Sequence, residues 1–264
     1  MEKVSVIVST YNRPDALELS LKSLMRQTRL PDEIVVGDDG SGPETREVVE
    51  RMQSISPVPI IHVWHPDEGF RLAAIRNKAV LASTGDYIIQ IDGDIIAHRH
   101  FVEDHVSHAR PGCYMRGGRV MLSREFTEQL CASREPATPG FFSGGIENKR
   151  DTTLRITPLA SMLASRYNPK SYALGCNMSF WRSDFFDING YDEEFVGWGG
   201  EESDFSHRLL MKGVKYRRLK FAGIVYHLWH KTNSMDNLEK NTRYCERQDK
   251  SIVCANGVSK HIQM

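Results

Sequence analysis

The stretch VSVIVSTYNRPDALELSLKSLM, residues 4–25, decides how the chain is read. It opens with a short β-branched run, and Pro14 then stands where a helix can begin, since its missing N–H needs no partner in the first turn. Leu17, Leu21, Leu24 and Met25 recur at helical spacing and make one apolar stripe to set against a sheet. A strand that runs straight into an amphipathic helix is the start of a βαβ unit. The same rhythm continues outward, with strands expected at residues 33–36, 60–63 and 87–91. A second helix should follow the turn residues in DDGSGPETREVV (38–49), and a third should span residues 73–82 and end at the turn 83–86. This alternation predicts an α/β fold with a mostly parallel sheet flanked by helices.

Composition narrows the function. The 264 residues carry 34 basic and 34 acidic side chains, so no net field draws the chain to nucleic acid. The apolar fraction of 40% is enough for a core, and one compact unit is expected. No run is long and apolar enough to span a membrane, and the N-terminus lacks a signal-peptide profile, so a cytoplasmic protein is expected. Five scattered cysteines without a CxxC pair predict reduced thiols. The second half is less regular. RGGRVML (116–122) reads as a strand followed by a polar helical stretch, and residues 136–172, rich in Gly, Pro, Ser and Asn, read as a mobile loop that a donor could order as a lid. An apolar run at 172–181, a helix at 201–212 and two short strands ending at His227 come next, before a polar tail with little periodicity.

The sharpest chemical signal is IDGDIIAH (91–98), where Asp92 and Asp94 follow directly on a strand. Ligands of open α/β sheets bind beyond the carboxyl ends of strands, so two carboxylates there can hold Mg2+ or Mn2+ against phosphate oxygens. A plain turn is the alternative, since Asp and Gly are turn formers. STYNRP (9–14) and GDDGS (37–41) bring Thr10, Tyr11, Asp38 and Asp39 to the same edge. A tyrosine face can stack on a base and a carboxylate can accept an imide N–H, as a uracil would require. Asn12 and Asp39 would otherwise be helix caps. In GFRLAAIRNKA (69–79), Arg71 and Arg76 can pair with a diphosphate or simply be solvated.

GYDEEFVGWGGEESDF (190–205) sets Trp198 beside Gly199 and Gly200, a flat apolar face next to backbone that a ligand can approach closely. Glu201 and Glu202 open a helix there, either as charges favoured by its dipole or as a general base beside a sugar-binding tryptophan. In GIVYHLWHK (223–231), His227 ends a strand and can offer a neutral imidazole to a metal. His98, His100, His105 and His108 fit no zinc signature and are expected on a solvated helix face.

Taken together, these strings resemble the GT-A glycosyltransferases, and specifically glycosyltransferase family 2. The likeness rests on VSVIVSTYNRPDALELSLKSLMRQT (4–28), DEIVVGDDGS (32–41) and AAIRNKAVLASTGDYIIQIDGD (73–94). GCNMSFWRSDFFDINGYDEEFVGWGGEESDFSHRLLMKG (175–213) is similar to the C-terminal region of β1,4-galactosyltransferases and chondroitin-type polymerases. The resemblance implies a GT-A fold with a Rossmann-like, mostly parallel sheet and a C-terminal acceptor-side region. It divides residues 1–264 into a nucleotide-sugar-binding half (1–110), an acceptor-binding and catalytic half (111–230) and a tail (231–264).

Carried onto this sequence, the resemblance implies that Thr10, Tyr11, Asp39, Arg76 and Asp92 hold the nucleotide. Asp92 and Asp94 would form the DxD pair, with Asp94 the direct ligand and His227 completing the metal shell. Trp198 and Gly200 would face the acceptor. The base falls at Glu202, where relatives usually carry Asp, and Glu201 stays a second candidate. The implied reaction is inverting, Mn2+- or Mg2+-dependent transfer from a nucleoside diphosphate sugar, a UDP-sugar, to a glycan or glycolipid hydroxyl, in the polysaccharide-biosynthesis class. A lipid-borne acceptor would bring the chain to the inner membrane face as a peripheral protein. The rival readings are a nucleotidyltransferase, to which a sugar platform is of no use, a non-catalytic sugar-binding module, to which a base is of no use, and a subunit that binds nucleotide only as a structural ligand.

Overall fold

The computed structural model describes residues 1–164, 174–231, 236–247 and 251–262. The first half runs β1 (Val4–Thr10), α1 (Pro14–Leu24), β2 (Glu33–Asp38), α2 (Pro43–Ile55), β3 (Ile60–Trp64), α3 (Leu72–Ala82), β4 (Tyr87–Asp92), β5 (Ile95–Ala97) and α4 (Phe101–His108). The second half continues with β6 (Cys113–Arg116), β7 (Arg119–Leu122), α5 (Arg124–Ser133), β8 (Ile146–Asn148), α6 (Thr157–Ala164), β9 (Met178–Trp181), α7 (Arg182–Asp187), α8 (Glu201–Met211), β10 (Lys215–Arg218), β11 (Val225–His227) and α9 (Leu238–Arg247).

Among the described residues, seven strands form one sheet in the order β10-β6-β9-β4-β1-β2-β3. The pairs β4-β1, β1-β2 and β2-β3 are parallel, while β9 runs antiparallel to β4 and β6. Val4, Val6, Ile7, Val8, Ile34, Val35 and Val36 are all fully buried, as befits strands covered on both faces by helices. Leu17, Leu21 and Leu24 of α1 pack into this core, so the stripe that opened the sequence reading is the contact that seats the helix. A smaller sheet, β5-β11-β7-β8, stands beside the first. It pairs β11 antiparallel with β5, which begins one residue after Asp94, and thereby brings His227 opposite Ile95.

The structure corrects several expectations. The strand expected over 116–122 is two strands in two different sheets, because Gly117 and Gly118 have no room for side chains. A β-carbon at Gly117 would meet the Asn177 amide and the Gly223 carbonyl. Residues 136–145 carry no helix or strand, but residues 146–164 are not irregular. They hold β8, a short 3-10 turn at Arg150–Thr153, and α6, and Arg155 grips the buried Asp104 of α4 with Nε–Oδ1 at 3.1 Å and Nη2–Oδ1 at 2.7 Å. Residues 165–172, the end of the expected lid, and 173, within the apolar run, lie outside the described residues.

The histidines of α4 do not form a solvated face. His105 and His108 are buried, with His105 Nδ1 at 2.8 Å from Ser179 Oγ and its Nε2 at 3.0 Å from Asn177 Oδ1, and burial drives its pKa down to about 4. The tail is not irregular throughout, since it carries α9 and a second 3-10 turn at Val258–His261, while residues 232–235, 248–250 and 263–264 lie outside the described residues. All five cysteines are free thiols.

Candidate active site

Parallel pairing sets Ser9 beside Asp92 and Thr10 beside Asp38, so β1, β2 and β4 end together and hand their loops to the same edge. A cleft of about 770 Å³ opens there. Thr10, Tyr11, Asp39, Asp92, Asp94, Trp198, Glu201, Glu202 and His227 all line it. Four of the expected residues do not: Asp38 and Arg71 are outside the lining, Arg76 lies beneath the floor with no exposure, and Gly200 faces Phe195 and Asn241.

On the nucleotide side, Asp39 is buried and fixed from two directions. Its Oδ1 is 2.6 Å from His65 Nε2, and its Oδ2 accepts the Arg71 N–H at 2.9 Å. Lys78 Nζ stands 3.2 Å from the other nitrogen of His65, so a chain of polar contacts orients this carboxylate. Asp39 is therefore no helix cap, because Gly42 occupies that position of α2. Neither does Asn12 cap α1. At φ 46° its Oδ1 accepts the Gly42 N–H at 2.9 Å and ties two strand-to-helix loops together. Asp38 accepts the Ser41 N–H at 2.8 Å and contacts His62 at 3.0 Å. Tyr11 is exposed and donates its hydroxyl to Asp67 at 2.9 Å, a bond that raises the phenol pKa.

Asp92 and Asp94 flank Gly93, whose N–H donates to Ser9 at 2.7 Å and whose site has no space for a side chain, since a β-carbon would sit 3.0 Å from Thr10. The two aspartates turn to different neighbours. Asp94 Oδ2 lies 3.3 Å from His230 Nε2, 3.7 Å from His227 Nε2 and 3.2 Å from Arg13 Nη1. The carboxylate and the two imidazoles offer ligand atoms within 4.8 Å of one another. The Leu228 N–H holds the Asp94 carbonyl at 2.9 Å, which pins β11 to this site.

These residues fit a divalent cation. Asp94 Oδ1 is buried without a hydrogen-bond partner, an arrangement that is costly unless some further group satisfies the carboxylate. Burial also holds the His227 imidazole below its ordinary pKa against the pull of Asp94, favouring the neutral ligand form. His230 was quoted in the sequence string but not singled out. Its signal was the H-x-x-H spacing across the end of a strand.

Asp92 stands outside that trio. Its Oδ1 accepts Arg76 Nη2 at 3.0 Å, and the same guanidinium reaches Glu202 Oε1 at 3.2 Å and Glu201 Oε1 at 3.4 Å. Arg76 also lies over the Tyr191 ring at 5.5 Å, and Tyr191 is held by its hydroxyl on Gln90 at 3.0 Å. Burial works against the arginine's charge, but the carboxylates outweigh it and raise its pKa. Burial pushes Glu201 up to about 7, with Glu202 adding to the effect and Arg76 opposing it. Gly175 also belongs to the site without a signal in the sequence: a β-carbon there would strike both the Glu202 carboxylate and the Arg76 guanidinium.

The mixed sheet flanked by helices, with its cleft at the carboxyl edge of β1, β2 and β4, is a GT-A architecture, and known proteins bear the fold out. Residues 5–183 match the model of glycosyl transferase family 2, and residues 159–231 match that of the N-terminal domain of galactosyltransferase. The chain belongs to glycosyltransferase family 2. It is 30% identical to a validoxylamine A glucosyltransferase of Streptomyces hygroscopicus subsp. limoneus over 80% of its own length and 48% of that protein. To a chondroitin synthase of Escherichia coli it is 27% identical, over 86% of its length and 35% of that protein. The chain thus spans about half or less of these relatives. Its fold is shared with a mannosyltransferase of Pyrobaculum calidifontis solved with GDP-Man and Mn2+ (TM-score 0.63, 17% identity, 94% of this chain and 65% of that one). S. aureus TarS 1-349 in complex with UDP shares it too (TM-score 0.60, 18% identity, 92% of this chain and 64% of that one). Among the described residues no helix is long and apolar enough to cross a membrane.

Proposed function

We propose that the chain transfers a sugar, with inversion, from a UDP-linked donor to a hydroxyl of a glycan or glycolipid, with Mn2+ or Mg2+ bound. The observation that carries this reading is one cleft lined by the Asp94–His227–His230 trio, by Glu202 and by Trp198. Asp94, His227 and His230 hold the cation. Two imidazoles in the set favour Mn2+ over Mg2+, whose ligands are oxygens. When bound, the cation supplies positive charge to the departing diphosphate.

The chain's own groups do the rest. Tyr11 and Asp39 hold the base of the nucleotide, the latter held in place by His65 and the Arg71 N–H. Trp198, 39% exposed, presents its ring to the acceptor sugar. Glu202 takes the acceptor hydroxyl's proton as that oxygen attacks the anomeric carbon from the face opposite the diphosphate, and one displacement inverts the centre. Arg76 serves here as an anchor for Glu202 and Asp92 rather than as a donor contact, because it has no surface in the cleft. We place the reaction in the cytoplasm, with a lipid-borne acceptor met at the inner membrane face.

Calorimetric titration of UDP with and without Mn2+, repeated on Asp94→Ala, tests the donor half. Metal-dependent binding that the variant loses is expected. Equal binding with and without Mn2+ would overturn the metal assignment, and no binding would overturn the UDP assignment.

A further inference from the structure

The open sides of the glycines in VGWGG, residues 196–200, face protein. Gly197, Gly199 and Gly200 all lie in the left-handed region, at φ 82°, 93° and 102°, which side chains disfavour. A β-carbon at Gly197 would strike Asn237, one at Gly199 would sit 3.1 Å from Leu238 Cδ1, and one at Gly200 would sit 3.3 Å from Asn241 Cβ and 2.7 Å from Phe195. Residues 237, 238 and 241 fall on one face at the start of α9. The Trp198 loop is therefore shaped to receive this helix.

Asn241 makes the connection polar as well as steric. Its side chain is 2% exposed, and Nδ2 donates to the Gly199 carbonyl at 2.8 Å, with the Val196 and Trp198 carbonyls farther off at 3.3 and 3.5 Å. A loop with three left-handed glycines has few backbone hydrogen bonds of its own, and an amide aimed at its carbonyls satisfies them. One turn on, Tyr244 donates to Asp192 at 2.9 Å and sets its ring edge-on to Phe195, 5.1 Å between centroids, closing the other side of the loop. Trp198 itself lines the cleft and is exposed.

We infer that Asn241 is a positioning residue: α9 of the tail holds the Trp198 loop so that its indole faces the cleft as a sugar-stacking surface. This rests on the proposed function for the sugar, whereas the clamp rests on the contacts alone. Asn241 touches no residue of the Asp94 trio, so the donor side is independent of it.

The test uses protein labelled with 5-fluorotryptophan, whose four 19F lines are assigned through Trp198→Phe. Asn241→Asp keeps the shape and removes the donor. The Trp198 line is expected to shift or broaden in this variant while the lines of Trp64, Trp181 and Trp229 stay, with UDP affinity in Mn2+ within about twofold of the parent, well under the tenfold that 1.4 kcal/mol would produce. Tyr244→Phe should move the same line less. A Trp198 line identical to that of the parent in Asn241→Asp overturns the clamp. Should Asn241→Asp unfold, Tyr244→Phe decides, an unmoved Trp198 line again overturning it.

Titration of the parent with methyl β-glucoside, methyl β-galactoside and lactose separates the two readings. A Trp198 line that answers to a sugar in the parent and less in Asn241→Asp supports the positioning role. A line that answers to none of them overturns the sugar surface and leaves the clamp to be judged by the line alone.

Discussion

Asp92 and Asp94 are separated by one glycine and share a strand end, yet they serve opposite electrostatic situations. Around Asp94 the nearest groups are two imidazoles and Arg13, partly open to the cleft, with one buried carboxylate oxygen left unsatisfied. Around Asp92 one fully buried guanidinium serves three carboxylates, of which Glu201 is buried and the other two reach the cleft. The first cluster brings imidazoles and a part-exposed arginine to its carboxylate, and the second sets a buried arginine among three. A DxD pair need not be two equivalent ligands. Here Asp94 faces two imidazoles, and Asp92, which also lines the cleft, shares Arg76 with the candidate base.

The largest expected effect tests whether the Arg76 cluster holds the base. Glu202→Gln keeps the hydrogen-bonding shape toward Arg76 and removes the proton acceptor, and loss of a general base lowers turnover by about 10² to 10⁴. UDP binding in Mn2+ should persist, since Glu202 is no part of the trio. Full turnover in Glu202→Gln would move the base to Glu201 or outside the cluster.

Next is the buried arginine. Removing one partner of a buried ion pair destabilises by about 3–5 kcal/mol, because the remaining charge stays desolvated. Arg76→Met leaves three carboxylates facing one another, so urea denaturation of the metal-free variant should show a loss in that range. A loss under about 1 kcal/mol, the value of an ordinary exposed pair, would mean that water from the cleft replaces the arginine.

The Asp94 cluster gives a smaller and more selective effect. Loss of even an outer partner of a metal site lowers affinity by about 10- to 100-fold, and His230→Ala should weaken Mn2+ binding by at least that much, measured by titrating Mn2+ alone. Stability without metal should barely change, since His230 is part-exposed and its removal frees Asp94 to water. Unchanged Mn2+ affinity would strike His230 from the ligand set and leave the trio a structural contact.

The two clusters also differ in how legible they were. Asp94 and His227 follow from a strand pattern and a DxD string, because period-two alternation and turn residues are local signals. The first four strands and three helices were legible for the same reason. What assembles the second cluster is not local: Arg76, Glu201 and Gly175 meet only because β9 runs between β4 and β6 and returns the chain to the same edge. An arginine on a helix looks solvated until three carboxylates from elsewhere surround it. His65 was invisible likewise, its partner Asp39 lying 26 residues earlier. The α9 helix was missed because its apolar residues are few and its buried contact is an asparagine amide on glycine carbonyls, which hydrophobic periodicity does not register. The histidines of α4 show the converse, polar residues read as solvated that the core holds through Ser179 and Asn177.

The smallest effect sharpens the contrast through pH. Burial raises Glu201 to about 7 in the folded, metal-free protein, above the value of about 4.5 expected of an unfolded chain. Between those values the folded state binds a proton that the unfolded state lacks. A group of this sign contributes its full stability below the unfolded pKa and loses it as pH rises through the folded one. In EDTA, the thermal midpoint should therefore carry a falling component from about pH 4.5 to about 7. Glu201→Gln removes that component and should flatten the slope, though not abolish it, since burial raises Asp92 in the same direction, to about 6. His230→Ala changes the Asp94 cluster and should leave the Glu201 component in place. If Glu201→Gln and the parent gave parallel midpoint curves across this range, Glu201 would be ionised throughout, and the charge on Arg76 would have to be shared among three carboxylates rather than two.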